Sequence, residues 1–308
     1  MLIKDIFERA MTSPSDFIAE CENEYFNKID TVAKNIAGIS EEKPFVLISG
    51  PSGSGKTTSA NALDASLAKM GFETHTISLD NYFNGVTEQE REAFLNNTLD
   101  LESPSRLNAE LLNTQLSDLI AGKEVELPHF DFTRNVRESS GEFIKLKKGE
   151  IIILEGIHSL NPKVIEHSDD FSTKIYVSVR TRIEYEKDNK LCLMHPSKLR
   201  LARRLIRDIR TRGRSLSTII DLYHSVERGE ELYIMPHKHR ANFDIDTFIP
   251  YEPCIYNKIL PTSLPSDEAK HPWLTELFTV LNMLPSVDKE LVPRNSLIRE
   301  FIGGGIYE

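Results

Sequence analysis

The segment Val46–Leu63 reads VLISGPSGSGKTTSANAL and decides the fold, because an apolar run meets a loop of Gly and Ser and then a helix-like stretch. Within it, Gly50–Thr57 fills the pattern G-x-x-x-x-G-K-[S/T]. Gly50, Gly53 and Gly55 let the backbone curl until successive N–H groups point inward and form an anion site on a helix N-terminus. A flexible Gly/Ser turn is the alternative interpretation, but the full motif with both flanks favours a phosphate-binding loop.

The side chains at the end of this loop have separate tasks. Lys56 would reach the β- and γ-phosphates of a nucleoside triphosphate, and the Thr57 hydroxyl would be a ligand of Mg²⁺. The residues expected to bind the phosphates are Gly50, Ser52, Gly53, Ser54, Gly55, Lys56, Thr57 and Thr58.

Composition limits the classes of function. The 308 residues are 40% hydrophobic and 27% charged, which is typical of a globular protein with a sizeable core. The formal net charge of −10 argues against duplex nucleic acid or an anionic membrane as the main partner, since both require a basic surface. Cys21, Cys192 and Cys254 lack the spacing of a disulfide framework or a zinc site. No apolar run reaches the roughly 18 residues that a membrane span requires, so we expect a cytoplasmic protein.

Apolar runs alternate with helical patterns along the chain, which predicts an α/β fold with a parallel sheet flanked by helices. A helical lead-in is expected over 1–42. Ser103 and Pro104 are predicted to be the N-cap and first residue of a helix that ends at Gly122. The predicted strands are Phe45–Ser49, Glu73–Asp80, the apolar run within Gly149–Ile157, and Lys174–Val179, and late helices are predicted at Trp273–Leu284 and Ser296–Phe301.

Two acidic residues follow predicted strands. Asp80 ends the second strand, and the carboxyl ends of parallel strands line the ligand crevice of an open α/β sheet. A carboxylate there could orient and deprotonate an acceptor hydroxyl, although a turn-forming Asp before Asn81 is an open alternative. Glu155 follows the run IIIL, where a carboxylate can hold Mg²⁺ directly or through water, and a solvated strand end is the alternative.

An Arg-rich segment, LRLARRLIRDIRTRGRS, covers Leu199–Ser215. Guanidinium groups bind phosphate oxygens bidentately and stabilise the charge of a phosphoryl transition state, so the segment is interpreted as a lid over the transferred phosphates. An exposed basic helix face paired with acidic neighbours is the competing interpretation.

Five ordered motifs, GPSGSGKTT, ISLDNYF, LPHFDFTRNVR, IIILEGI and RRLIRDIRTRGR, together resemble the uridine kinase and phosphoribulokinase family. The resemblance covers about 43–250. It implies a P-loop NTPase kinase fold with an Arg-rich lid at about 195–215, a helical N-terminal extension over 1–42, and a C-terminal extension over 251–308 packed on the core.

The resemblance also implies roles for individual residues, which we carry over by position. Asp80 would be the base for the acceptor hydroxyl, Glu155 would join Thr57 in the Mg²⁺ shell, and Arg207 would act in catalysis beside Lys56. Arg212 would contact ATP. The residues expected to bind the acceptor are Asp80, Tyr82, Phe130, Asn135, Arg137, Arg204 and Arg214.

The acceptor pocket departs from the family pattern. Phe130 stands where uridine-cytidine kinases have Tyr, Asn135 where they have a His that contacts the base, and Leu222 where they have Gln. The expected activity is ATP- and Mg²⁺-dependent phosphoryl transfer to a small-molecule hydroxyl, with uridine or cytidine as the first acceptors. The alternatives are another alcohol, such as a sugar phosphate, and a nucleotide-binding regulatory protein. The oligomeric state is left open.

Overall fold

The computed structural model describes residues 1–96, 98–213, 216–260 and 272–307, with the side chains at 212, 216, 217, 221, 272 and 273 outside that description. Its helices are α1 Ile3–Thr12, α2 Pro14–Ala37, α3 Lys56–Lys69, α4 Arg91–Leu95, α5 Ala109–Ile120, α6 Ser168–Phe171, α7 Pro196–Arg212, α8 Leu216–Gly229, α9 Glu252–Ile259, α10 Pro272–Asn282 and α11 Arg299–Ile302. Its strands are β1 Phe45–Ser49, β2 Thr74–Ser78, β3 Glu124–Asp131, β4 Val136–Lys145, β5 Ile151–Glu155, β6 Ser172–Ser178, β7 Ile183–Lys187, β8 Lys190–Met194 and β9 Phe243–Asp246.

The central sheet has five parallel strands in the order β2-β5-β1-β6-β9. Every residue of β1 is buried, as expected of a strand covered on both faces. Successive side chains of a strand point to opposite faces, so Val46 and Ile48 join a core that includes α2, α3 and α7, while Phe45 and Leu47 join a second core with α5. The predicted parallel α/β fold is confirmed.

Two antiparallel hairpins lie outside the central sheet. Strands β3 and β4 pair from Glu124 opposite Lys145 to Asp131 opposite Val136, and β7 pairs with β8. The sequence interpretation contained neither hairpin. The first carries the LPHFDFTRNVR motif and therefore positions the expected acceptor pocket.

Two predicted boundaries are wrong. Ser103 caps only the short 3₁₀ turn Pro104–Arg106, while α5 begins at Ala109 and is capped by the Asn108 side chain, which accepts from the amide of Leu111 at 3.0 Å. Strand β2 ends at Ser78, and Asp80 lies in the following 3₁₀ turn Leu79–Tyr82. In both places a Ser or Asn side chain that can cap a turn outweighs the apolar periodicity.

The segments on either side of the predicted kinase region pack closely on it. Helix α2 lies against α3, and Tyr25 of α2 shares a 2.9 Å hydrogen bond with Ser59 of α3. Helix α11 lies against α7, and its Phe301 is fully buried. In the part of the chain that the structure describes, no helix is long and apolar enough to span a membrane.

Candidate active site

Three neighbouring strands end together beside the phosphate-binding loop. The parallel register pairs Glu155 of β5 with Ile48 of β1 on one side and with Ser78 of β2 on the other. Since β1 runs directly into the loop and β2 into the turn that carries Asp80, the chain brings the predicted phosphate site and both predicted acids to one edge of the sheet.

The phosphate-binding loop, Gly50–Thr57, requires glycine for two physical reasons. A Cβ on Gly50 would lie 1.9 Å from the carbonyl oxygen of Val177, so the loop packs directly on β6. Gly55 has φ of 84°, in the left-handed region, where it turns the chain into α3. The loop amides therefore sit at the N-terminus of a 14-residue helix, where the helix dipole favours an anion.

The loop side chains are placed differently from one another. Lys56 is partly buried, and its ammonium group donates to the carbonyl oxygen of Pro51 at 3.3 Å, inside the loop. Thr57 is exposed at the mouth, as a metal ligand would be. Thr58 is buried, and its hydroxyl donates to Glu300 at 2.7 Å. This placement supports the roles expected of Lys56 and Thr57 but directs the Thr58 side chain away from the phosphates.

Ser78 links the two predicted acids. Its hydroxyl donates to Glu155 at 2.9 Å and accepts from the backbone N–H of Asp80 at 3.3 Å. Burial raises the pKa of Glu155 from 4.5 to about 7, and the negative charge of Asp80 adds to this, while Lys56 opposes it. Because burial makes this carboxyl costly to ionise, a bound divalent cation would strongly stabilise its charged form. This suits the role expected of Glu155.

A third carboxyl group belongs to the same site and was missed in the sequence. Burial raises the pKa of Glu102, while the positive charges of Arg204 and Lys56 oppose the shift and the charge of Asp80 adds to it. The carbonyl oxygen of Glu102 lies 2.9 Å from His158 Nε2. No strand end or motif marks Glu102, because it stands in an irregular segment whose place is fixed only by tertiary contacts.

Arg200 and Arg204 of α7 are more deeply buried than a basic surface face would be. Arg204 is 7% exposed and donates to the Ser52 hydroxyl in the loop at 3.0 Å. Arg207 lies 2.8 Å from the buried carboxylate of Asp208. Arg200 pairs with Glu230 at 2.8 Å. The interpretation as a solvated face is therefore wrong for this part of α7.

Two of the expected lid residues fall, wholly or by their side chains, outside the part of the chain that the structure describes. Arg214 lies outside the described residues, as does the side chain of Arg212. Closure of a lid over 195–215 stays a prediction.

The expected acceptor pocket is formed by the β3–β4 hairpin and the turn after β2. Arg137 donates to Asn84 Oδ1 at 3.1 Å and to the carbonyl of Phe83 at 3.4 Å, which fastens the hairpin to the residues that directly follow that turn. Phe130 is 4% exposed, and its ring centroid lies 6.0 Å from that of Phe83. Asn135 has φ of 55° and occupies the tip of the hairpin.

Tyr82 is placed in the core instead of the pocket. It is 1% exposed, and its hydroxyl donates to Gln115 at 2.7 Å. This placement gives no support to the substrate contact expected of its side chain.

The residues present fit a bound nucleoside triphosphate and Mg²⁺. The loop offers amides at a helix N-terminus and a lysine as anion donors, and the guanidinium of Arg204 reaches the loop from α7. Among the described residues, Ser54 Oγ is a buried polar atom of this loop without a hydrogen-bond partner. Thr57 and Glu155 supply oxygen ligands of the kind that Mg²⁺ prefers. A P-loop kinase is the class of protein that this fold and this donor set define.

Comparisons with known proteins identify the family. The model of the phosphoribulokinase/uridine kinase family matches residues 45–250. A uridine kinase from Ligilactobacillus salivarius is 34% identical over 204 residues, which are 66% of this chain and 84% of that protein. A uridine kinase from Halobacterium salinarum is 32% identical over 199 residues, which are 64% of this chain and 77% of that protein. The chain belongs to the phosphoribulokinase/uridine kinase family, and it is a kinase.

A solved structure supports the fold. A crystal structure from Silicibacter sp. TM1040, whose name assigns it provisionally to a fructose transport system kinase, has a TM-score of 0.54 to this chain. It is 17% identical and covers 70% of this chain and 98% of its own. At this identity the likeness concerns the fold alone.

Proposed function

We propose that the protein transfers the γ-phosphoryl group of ATP, in the presence of Mg²⁺, to a hydroxyl group of a small molecule, and that a nucleoside such as uridine or cytidine is the acceptor. The observation that carries the proposal is the meeting of Lys56, Asp80 and Glu155 at the carboxyl ends of β1, β2 and β5. A nucleotide-binding regulatory protein would need the loop but not a second carboxylate facing it.

Each residue has a distinct task in this reaction. Lys56 leaves the Pro51 carbonyl to bind the β- and γ-phosphates, and the loop amides hold the phosphate oxygens. Thr57 and Glu155 would hold Mg²⁺, which supplies positive charge against the phosphate oxygens. Asp80, exposed on its turn, accepts the proton of the acceptor hydroxyl. Arg204 and Arg207 stabilise the charge that develops during transfer.

The names of the relatives support uridine as the acceptor, while the side chains of the expected pocket favour a wider range of alcohols. Phe130 offers no hydroxyl where the pyrimidine-specific pattern has a phenol, and it packs on Phe83. A sugar or sugar phosphate is therefore the second candidate acceptor.

The test is to incubate the protein with ATP and Mg²⁺ and a panel of nucleosides, sugars and sugar phosphates, and to detect the phosphorylated product by mass. We expect a product with at least one alcohol, and we expect Asp80→Asn to lower kcat by about 10²–10⁴ with little change in ATP affinity. Asp5→Asn, which alters an exposed carboxylate on α1, is the matched control. A parent protein that binds ATP and phosphorylates no member of the panel would contradict the proposal.

A further inference from the structure

We propose that Thr247 and Arg203 are positioning residues that hold the phosphate-binding loop in its binding conformation, and that the C-terminal segment holds Arg203 through Glu252. The nucleotide readout of this proposal rests on the proposed function, whereas its structural readout does not. Glu252 lies beyond the residues that the family model matches, 45–250.

Two carbonyl groups of the loop accept hydrogen bonds from buried side chains. The Thr247 hydroxyl donates to the carbonyl oxygen of Ser54 at 2.7 Å, and Arg203 Nη1 donates to that of Gly53 at 3.1 Å. Thr247 and Arg203 are both fully buried. They contact the loop from the core, away from the mouth where Thr57 is exposed.

The direction of these carbonyls determines the direction of the amides. In a trans peptide the C=O and the following N–H point to opposite sides. Holding the carbonyls of Gly53 and Ser54 toward the core therefore turns the N–H groups of Ser54 and Gly55 into the loop. The N–H of Ser54 donates to the Pro51 carbonyl at 3.2 Å, the same oxygen that holds Lys56, so this N–H points into the loop.

Arg203 is itself held by a buried network. Its Nε and Nη2 each donate to Glu252 at 2.8 Å, and Nη2 also donates to the Thr247 carbonyl at 2.6 Å. The Tyr256 hydroxyl and the Ile249 amide donate to the same carboxylate. Two apolar side chains could fill such a space with similar stability, because a buried ion pair has a large desolvation cost. Apolar side chains could not donate to the Gly53 carbonyl.

Further contacts from outside the family region support the same loop. Glu300 accepts from Thr58 at 2.7 Å, and the Leu297 side chain would lie 2.8 Å from a Cβ placed on Gly55. Tyr25 contacts Ser59, the next residue of α3. The contacts of Glu300 and Leu297 place the C-terminal segment behind the phosphate-binding loop, and Tyr25 adds a contact from α2.

The test uses variants that differ by one group. Thr247→Val removes the hydroxyl and keeps the shape, Thr247→Ser keeps the hydroxyl, and Thr173→Val alters a buried Thr whose hydroxyl has no partner among the described residues. Thermal unfolding establishes that each variant is folded. If Thr247→Val does not fold, Thr247→Ala takes its place.

The structural readout is hydrogen–deuterium exchange of the peptide over 50–58 without nucleotide. We expect exchange there to be faster in Thr247→Val than in the parent, with no change in Thr173→Val and near-parental exchange in Thr247→Ser. Unchanged exchange in a folded Thr247→Val, or equal acceleration in the Val and Ser variants, would overturn the proposal.

The functional readout is the affinity for ATP with Mg²⁺, measured by calorimetry. One lost hydrogen bond that orders the loop should weaken ATP binding by about three- to tenfold in Thr247→Val and much less in Thr247→Ser, with a smaller effect on kcat than on KM for ATP. Parental affinity in a folded Thr247→Val would also overturn the proposal. A parent that binds no ATP would count against the proposed function, and exchange over 50–58 would still decide the positioning role.

Discussion

The substitution Glu155→Gln should stabilise the protein above neutral pH, while it replaces the carboxylate of the expected metal ligand with a neutral amide. Glu155 is 8% exposed, and its pKa is raised from 4.5 in the unfolded chain to about 7, first by burial and then by the charge of Asp80. The folded protein therefore keeps a proton that the unfolded chain releases between these two values. Its free energy of unfolding must fall as the pH rises through that window.

The magnitude follows from the two pKa values. The interval from 4.5 to about 7 corresponds to about 3 kcal/mol, at about 1.4 kcal/mol for each pKa unit. A small part of this is already lost at pH 5, so we expect Glu155→Gln to gain about 2.5 kcal/mol relative to the parent between pH 5 and pH 8. The Ser78 hydroxyl can donate to the amide oxygen as it does to the carboxylate.

The assay is urea unfolding of parent and variant at pH 5 and pH 8 with EDTA present. Glu150→Gln is the matched control, since Glu150 precedes the same strand β5. Burial opposes ionisation there, but hydrogen bonds from the backbone and ammonium of Lys147 lower the pKa of Glu150 to about 2, so it stays ionised from pH 5 to 8. If the free energy of unfolding of Glu155→Gln relative to the parent also stays constant from pH 5 to pH 8, the raised pKa of Glu155 is refuted.

Four other changes test separate parts of the site. Lys56→Ala should remove several kcal/mol of transition-state stabilisation and lower kcat/KM accordingly, while the fold stays intact. Steady-state kinetics would measure the first effect, and circular dichroism would check the fold. Arg203→Met should lower the free energy of unfolding by about 3–5 kcal/mol in urea titrations, because it leaves the buried charge of its partner unpaired. Arg207→Gln should reduce kcat more than ATP affinity if the lid forms, and parental kcat would argue against it. Phe130→Tyr combined with Asn135→His should raise kcat/KM for uridine over a free sugar, whereas a parent already strongly selective for uridine would show that other residues read the base.

The parts of the fold that sequence reasoning found are those set by short-range patterns. The phosphate-binding loop is contiguous, and its glycines and lysine have fixed spacing, so Gly50–Thr57 could be assigned without tertiary information. The apolar runs of β1 and β5 likewise contain their own signal. Glu155 was found because it directly follows such a run.

The parts that were missed depend on contacts between distant residues. The carbonyl oxygen of Glu102 contacts His158, 56 residues away, and its carboxyl group interacts with the charges of Arg204 and Lys56. The partner of Arg203 is 49 residues away, so a run of arginines could not reveal which one is buried. The β3–β4 hairpin is irregular, with a register shift between Glu126 and Pro128 that breaks the alternation of a strand.

The contact between Thr58 and Glu300 has a consequence for synthesis of the protein. The two residues are 242 positions apart, so a ribosome that adds about 5–20 residues per second makes the second roughly 12–50 s after the first. During that interval the strand and helix around the phosphate-binding loop can already form, but the segment that packs behind the loop does not yet exist. A growing chain would thus carry the nucleotide motif well before it carries the support that shapes it, and the site would be complete only when the segment around Glu300 docks.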